Sequence, residues 1–253
     1  MYDIAIVGGG VAGRSAGIFT ARAGLETVIL SADESILARN AHLENYPGFP
    51  GGVDARTYLE LLREQAAEAG CTTVADRIVA VTPRAENPSV TPREDGSPEA
   101  GFVLEGENES YAARRVIAAS WPDSEYLTPL DVGRRQRGSK HVVQTAETGR
   151  TAVDGVYAAG RIADEPHQAI VAAGHGSKVA LAAVQDSETA FYHDWVAPAG
   201  YFTGRDRDVP PACEEIDDAE RRRRDERARE RLRDALAEPN DERPTMHPNV
   251  DRD

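Results

Sequence analysis

The stretch from Asp3 to Leu30, DIAIVGGGVAGRSAGIFTARAGLETVIL, constrains the fold of this chain more than any other. Ile4, Ala5, Ile6 and Val7 form a short apolar run of the kind that a parallel strand covered on both faces requires. Gly8, Gly10 and Gly13 follow in G-x-G-x-x-G spacing. A helix of small residues from about Val11 to Ala23 then leads to a second apolar run, Thr27 to Leu30. Gly8 permits the tight turn, Gly10 lets a pyrophosphate approach the backbone, and Gly13 lets the helix pack closely on the strand. The helix start presents free N–H groups and a positive dipole end to the phosphates. With a strand before it, a helix after it and a second strand on schedule, the motif predicts a dinucleotide-binding unit rather than a structural glycine turn.

The 253 residues suffice for one large α/β domain or two small ones, and 40% hydrophobic content supports a buried core. The formal net charge is −14, and Lys140 and Lys178 are the two lysines of the chain. Acid excess with lysine depletion is the pattern of a protein kept soluble in high salt, so a salt-adapted, haloarchaea-like source is expected. The same charge argues against partnership with nucleic acid or an anionic membrane. Cys71 and Cys213 belong to no C-x-x-C, so a redox dithiol and a disulfide framework are not expected, and Cys71 reads as a small buried hydrophobe. The first strand starts almost at Met1 and no apolar run reaches membrane-spanning length; a cytoplasmic protein is the expectation. No metal-ligand set is recognised.

Beyond the second strand, Ser31 to Leu43 reads as a polar loop. An acid at this point of a dinucleotide fold grips the ribose hydroxyls; the strand ends in Ser31, with Asp33 and Glu34 just beyond, and either acid serves or both are solvated loop charges. ENYPGFPGG, Glu44 to Gly52, is dense in turn formers and carries Asn45, Tyr46 and Phe49, which suit the rim of a planar cofactor or a rigid surface connection. An amphipathic helix is predicted from about Ala55 to Ala69, with Gly70 as its stop. From Cys71 the pattern turns to strands, and a three-stranded antiparallel meander is read through Val79 and Val81, Gly101 to Leu104 and Ser110 to Ala119, with residues 84 to 100 as a loop. Trp121 to Thr151 is a connector with room for one β-α-β unit at most. A buried strand at Gly155 to Ala159 precedes a long helix of small residues from about His167 to Val184, with Gly174 and Gly176 placed for close packing or close approach to a ligand.

Residues 185 to 215 read as irregular, with an aromatic cluster, FYHDWVAPAGYF, that covers apolar surface; His193 and Asp194 are taken as structural. Ile216 to Ala237 reads as a charged helix with acid-to-arginine steps of four at Asp217–Arg221, Asp218–Arg222, Glu220–Arg224 and Asp225–Arg229. Such a helix lies along the domain or reaches a second subunit, so a homodimer is one expectation. Residues 238–253 read as a flexible tail. The expected organisation is a dinucleotide-binding domain over 1–184, an irregular segment with a charged helix over 185–237, and the tail.

The order of parts, VGGGVAG, then NYPGFP, then a meander ending in VIAAS, then GVYAAGR followed by HQAIVAAGHGSKVAL, resembles the FAD domain of thioredoxin reductase-like flavoproteins. The likeness runs from Met1 to about Ala183. It implies an α/β fold: a Rossmann-like, three-layer ββα FAD-binding domain with a parallel sheet and an antiparallel meander, here followed by the charged helix. In that family an NADPH domain is inserted after the meander; the connector is too short to hold one, and it contains no second G-x-G-x-x-G and no C-x-x-C. By position, Gly8, Gly10, Gly13 and the amides of Val11 and Ala12 are implied to hold the pyrophosphate of FAD. Ser31 and Asp33 then fall at the ribose, Asn45 and Tyr46 near the flavin, Arg77 and Ile78 near the adenine, Ser120 and Trp121 at a strand end, and Gly160 and Arg161 at the next. Gln168 and Ala169 are placed at the pyrimidine edge of the ring, where amides and a helix dipole favour negative charge.

Three positions depart from the family pattern. A glycine-glycine-glutamine loop is replaced by Glu34, Ser35 and Ile36. The alanine-threonine-glycine strand end reads Ala119, Ser120, Trp121. An alanine-glycine-aspartate reads Ala159, Gly160, Arg161, and arginine donates where aspartate accepts. Arg161 is then expected to pair with the pyrophosphate, with Asp164 as a substitute acceptor. The resemblance implies an FAD-dependent oxidoreductase with a small-molecule or protein electron donor and acceptor. The departures leave open a non-catalytic FAD- or ADP-binding or partner-binding module derived from such an enzyme. No side chain is assigned to acid–base or nucleophilic chemistry.

Overall fold

The computed structural model describes residues 1–84, 101–247 and 250. The expected loop over 84–100 therefore lies, after Arg84, outside the described residues, as do positions 248–249 and 251–253 of the expected tail.

The chain begins as its first thirty residues predict. Strand β1 (Tyr2–Val7), helix α1 (Val11–Arg22) and strand β2 (Thr27–Leu30) form a βαβ unit with parallel register, Ile4 opposite Thr27 and Val7 opposite Leu30. Helix α2 (Ala55–Glu68) follows. Its N-cap Asp54 accepts from the amides of Arg56 and Thr57, and its polypeptide turns at Gly70. Next come β3 (Thr72–Val74), β4 (Ile78–Pro83), β5 (Phe102–Gly106) and β6 (Ser110–Ala118). After a hairpin of β7 (Arg134–Arg137) and β8 (Lys140–Val143), the short β9 (Val156–Ala158) leads to helix α3 (Ala169–Gln185).

β6 joins the two halves of the sheet. One edge runs parallel to β1 along its length, Tyr2 opposite Ala113 and Val7 opposite Ala118. The other edge pairs antiparallel with β5 over its first half and parallel with β9 over its second. The sheet order is β3-β2-β1-β6, continued to β5 and β4 as the meander and to β9 as the last parallel strand. Alternation along the strands sorts the core into two layers. Ile4, Ile6, Ile29, Ile117 and Tyr157 pack under α1, α2 and α3. Ala5, Val7, Val28, Leu30, Val116 and Val156 pack beneath the meander and the connector's Leu127, Leu130 and Val143. α1 and α3 cross closely, because a side chain at Gly176 would run into the carbonyl of Ala12.

Two local readings change. Thr72–Val74 does not enter the meander but extends the parallel sheet on β2, with the Ser31 amide donating to the Val74 carbonyl at 3.0 Å. The bend through Ala75, Asp76 and Arg77 separates this short run from β4, and three residues carry no mark of the sheet edge they join. Within residues 185 to 215, read as irregular, a parallel pair forms from β10 (Trp195–Pro198) and β11 (Cys213–Ile216). Trp195, Tyr201 and Phe202 pack edge to face there, with centroids 4.6 to 5.6 Å apart. Glu215 accepts from the Gly200 and Thr203 amides at 2.9 and 3.0 Å. Burial alone would raise its carboxyl, but these and neighbouring donors hold it at about 2. These four-residue strands are too short for alternation to register.

The charged helix forms as α4 (Asp218–Ala235). Glu220–Arg224 pairs at 2.8 Å as the steps of four predict. Asp217 instead caps the helix, accepting from the Glu220 amide at 2.7 Å, and Arg221 reaches Asp218 and Asp225. No α4 residue is buried; it lies along α2 through Arg227 to Glu68 at 3.0 Å and Arg231 to Glu68 at 2.5 Å.

Candidate functional site

A cavity of about 430 Å³ opens where the carboxyl ends of β1, β2, β6 and β9 meet the starts of α1 and α3. Ligands of open α/β sheets are held at this kind of position. One wall is the glycine turn. Gly8 has φ of 112°, and a Cβ there would stand 2.6 Å from the Ala119 carbonyl oxygen. A Cβ at Gly10, by contrast, would meet nothing closer than the Ser35 hydroxyl at 3.5 Å, so the space over the turn is free for a ligand. α1 is capped by Gly10 and α3 by Gln168; neither end has a side-chain cap or an acid in its first turn. Two helix starts thus offer uncompensated N–H groups to one cavity, a setting for an anionic ligand.

At one end, Ser31, Asp33, Arg77 and Ile78 line the cavity together with Glu34, Ser35, Ile36 and Leu37. Arg77 Nη2 donates to both Asp33 carboxylate oxygens, at 2.6 and 2.7 Å. The Asp33 hydrogen bond holds the Arg77 guanidinium above its ordinary range. At the other end stand Ser120, Trp121, Arg161, Gln168 and Ala169, with Pro122, Asp123, Tyr126 and His167. The Arg161 guanidinium lies over the Trp121 ring, 4.7 Å from its centroid. Two of the three departures named above, Trp121 and Arg161, are thus one stacked unit. Among the described residues no carboxylate pairs with Arg161, whose contact beyond the ring is His167 Nε2 at 3.3 Å. Burial and then Arg161 push His167 below its ordinary range.

Four expected residues sit behind the wall. Gly13 packs on the Gly8 carbonyl, and Gly160, whose amide donates to His175 Nδ1 at 2.9 Å, packs on Ala12. Tyr46 stacks with Tyr58 at 4.7 Å and Phe49 at 6.1 Å. Asn45 Nδ2 donates to Gln168 Oε1 at 2.8 Å, joining NYPGFP to the start of α3 across 123 positions of sequence. Asp164 is engaged by Arg135 and Arg137 of the hairpin and does not line the cavity. Tyr126 is an unforeseen member. Buried in the connector, it shares a 2.8 Å hydrogen bond with Ser120 Oγ, and no motif marks it. Cys71 is buried, its thiol pushed up to about 11, and Cys213 lies 3.3 Å from the His193 carbonyl; both are free.

Asp76 fixes the bend that delivers Arg77 to the cavity. It is buried and accepts from Tyr111 Oη at 2.9 Å, the Asn108 amide at 3.1 Å and the Glu109 amide at 3.2 Å. Burial would raise this carboxyl, but these donors bring it below its ordinary value. A depressed native value contributes stability that is fully present above the unfolded value, about 4, and is lost as pH falls through the native one. Asp76→Ala is expected to lower the thermal midpoint by several degrees at neutral pH, with the gap to wild type closing in acid. Calorimetry across a pH series checks this.

The parallel sheet, its helices and the meander make a Rossmann-like α/β fold of the kind seen in thioredoxin reductases of known structure. Among curated relatives, the chain is 40% identical over 82 residues to the thioredoxin reductase of Aquifex aeolicus, covering 32% of this chain and 25% of that protein. It is 31% identical over 122 residues to that of Peptoclostridium acidaminophilum, covering 47% and 34%. The matches thus span a quarter to a third of those relatives. Among solved structures, a thioredoxin reductase from Gloeobacter violaceus superposes with a TM-score of 0.60 at 19% identity, covering 77% of this chain and 98% of that one. The thioredoxin reductase of Streptococcus pyogenes gives 0.62 at 12% identity, covering 74% and 98%. No protein-family model matches the chain.

Proposed function

We propose that the cavity binds FAD and that the protein is an FAD-dependent oxidoreductase. The observation that carries this reading is the single cavity joining the Gly8–Ala12 turn, the Asp33–Arg77 pair and the uncapped start of α3. The residues fit the group: the Val11 and Ala12 amides and Arg161 supply donors for a pyrophosphate, Asp33 an acceptor for ribose hydroxyls, and Gln168 and Ala169 polar groups for a flavin edge. When bound, FAD supplies the electron-transfer chemistry. The chain's own residues bind it, orient it and keep water from it, with Trp121, Pro122 and Tyr126 among the apolar and aromatic residues of the wall. Cys71 is buried and Cys213 lies against the His193 carbonyl, so neither is given a role in the proposed chemistry. The donor is a free nicotinamide cofactor, a protein carrier or the substrate.

The acid-rich, lysine-poor composition supports a salt-adapted protein of the cytoplasm, and among the described residues no helix is long and apolar enough to cross a membrane. A homodimer through residues 185–237 is proposed from the exposed Trp195, Val196 and Tyr201. Anaerobic mixing of flavin-loaded protein with nicotinamide donors tests the enzymatic reading. Bleaching of the flavin followed by reoxidation with an acceptor is expected. Tight binding of FAD with no reduction by any donor class would assign the protein to the binding-module alternative.

A further inference from the structure

Resting on the reading that the cavity holds FAD, we infer that the C-terminal arm, residues 240–245, is a structural part of that site. The cavity wall opposite the glycine turn is the short segment Glu34–Leu37, which runs into a 3-10 turn at Ile36–Arg39. One turn of 3-10 helix contains too few hydrogen bonds to hold itself. Its own cap is a single 3.3 Å contact from the Leu37 amide to Ser35 Oγ.

Two outside elements clamp it. From α2, the buried Arg56 guanidinium donates to the carbonyls of Ala38, Asn40 and Ala41, at 3.3, 3.2 and 3.3 Å. From the arm, the Thr245 amide donates to the same Ala38 carbonyl at 3.1 Å, and the Thr245 hydroxyl donates to the Glu34 carboxylate. Asn240 Nδ2 donates to Thr57 Oγ1 at 3.3 Å, setting the arm on the first turn of α2. α4, tied to α2 by Arg227 and Arg231, carries the arm to this place.

The consequence concerns the two acids. Both acids line the cavity, Asp33 paired with Arg77 and Glu34 with Thr245, so the arm ties the Glu34 carboxylate to the wall. The segment that the arm braces is the one where Glu34, Ser35 and Ile36 replace the glycine-glycine-glutamine of the resembled family. The brace makes up for a wall loop that lacks its own means of staying in place.

Thr245→Pro removes both donors of Thr245 at one half-buried position, and a chain ending after Ala237 removes the arm while leaving α4. Amide hydrogen exchange at Leu37–Asn40, measured without ligand, is expected to speed up in both variants while exchange in β1 and β6 is unchanged. The dissociation constant for FAD, from quenching of flavin fluorescence, is expected to rise about tenfold, as the loss of two modest hydrogen bonds implies. Unchanged exchange at Leu37–Asn40, or an FAD affinity equal to or tighter than wild type, would overturn the inference. If wild type takes up no FAD, the FAD reading fails separately, and the brace is then judged on exchange alone.

Discussion

Alanine at Gly13 is expected to abolish cofactor binding and to destabilise the fold. The added Cβ falls inside the contact distance of the Gly8 carbonyl and 3.3 Å from the Ala119 side chain. Neither neighbour yields, since one is backbone in a turn with φ of 112° and the other lies on the strand end that lines the cavity. α1 must therefore move off β1, carrying the Val11 and Ala12 amides out of line with a pyrophosphate. Overpacking of this kind costs about 1–3 kcal/mol. Gly174→Ala in α3 is the control: its Cβ meets nothing within 4 Å, and helix propensity makes it neutral or stabilising by up to about 1 kcal/mol. Denaturant melts and FAD titrations of the two variants are expected to diverge sharply.

The second large effect is expected at Arg161. Alanine there removes a guanidinium that no carboxylate neutralises among the described residues, and that stacks on Trp121 at 4.7 Å. A charge-assisted bond to a phosphate contributes about 1.5–3 kcal/mol, so FAD affinity is expected to fall roughly ten- to a hundredfold. The same substitution withdraws the cation that lowers His167, whose titration is expected to move partway back towards its ordinary range, since burial remains the larger cause. Ring-proton NMR against pH reads this without any cofactor. Arg161→Asp, which restores the family's acid, is expected to weaken pyrophosphate binding further, because α3 and α1 then face an extra negative charge.

How far the sequence foretold this depended on whether a residue's role is local. β1, α1 and β2 were legible because apolar runs and glycine spacing are local consequences of close packing. Gly8 to Ala12 follow from the same glycine spacing and Ser31 and Asp33 from the end of β2, and all of them line the cavity. Trp121 and Arg161 read as separate anomalies, although in space they form one stack; pairing across forty positions leaves no periodic trace. Tyr126 lacked any motif, and His167, though it opens the HQAIVAAG stretch, carried no sign of its contact with Arg161, since burial against Ser120 and proximity to Arg161 are tertiary facts. The arm at Thr245 reads as polar tail because a brace of three hydrogen bonds needs no apolar pattern. β3 shows the reverse: its β-branched residues announced a strand, while the sheet edge it joins was decided by the bend at Asp76.

The central claim is that this cavity holds FAD, and an absorbance spectrum tests it most directly. Protein purified in molar salt, incubated with excess FAD and freed of unbound cofactor by gel filtration, is expected to elute yellow, with oxidised-flavin bands at about one FAD per chain. A colourless protein peak, with all flavin in the small-molecule fractions, would mean that Trp121 and Arg161 close the site to FAD and would contradict the account.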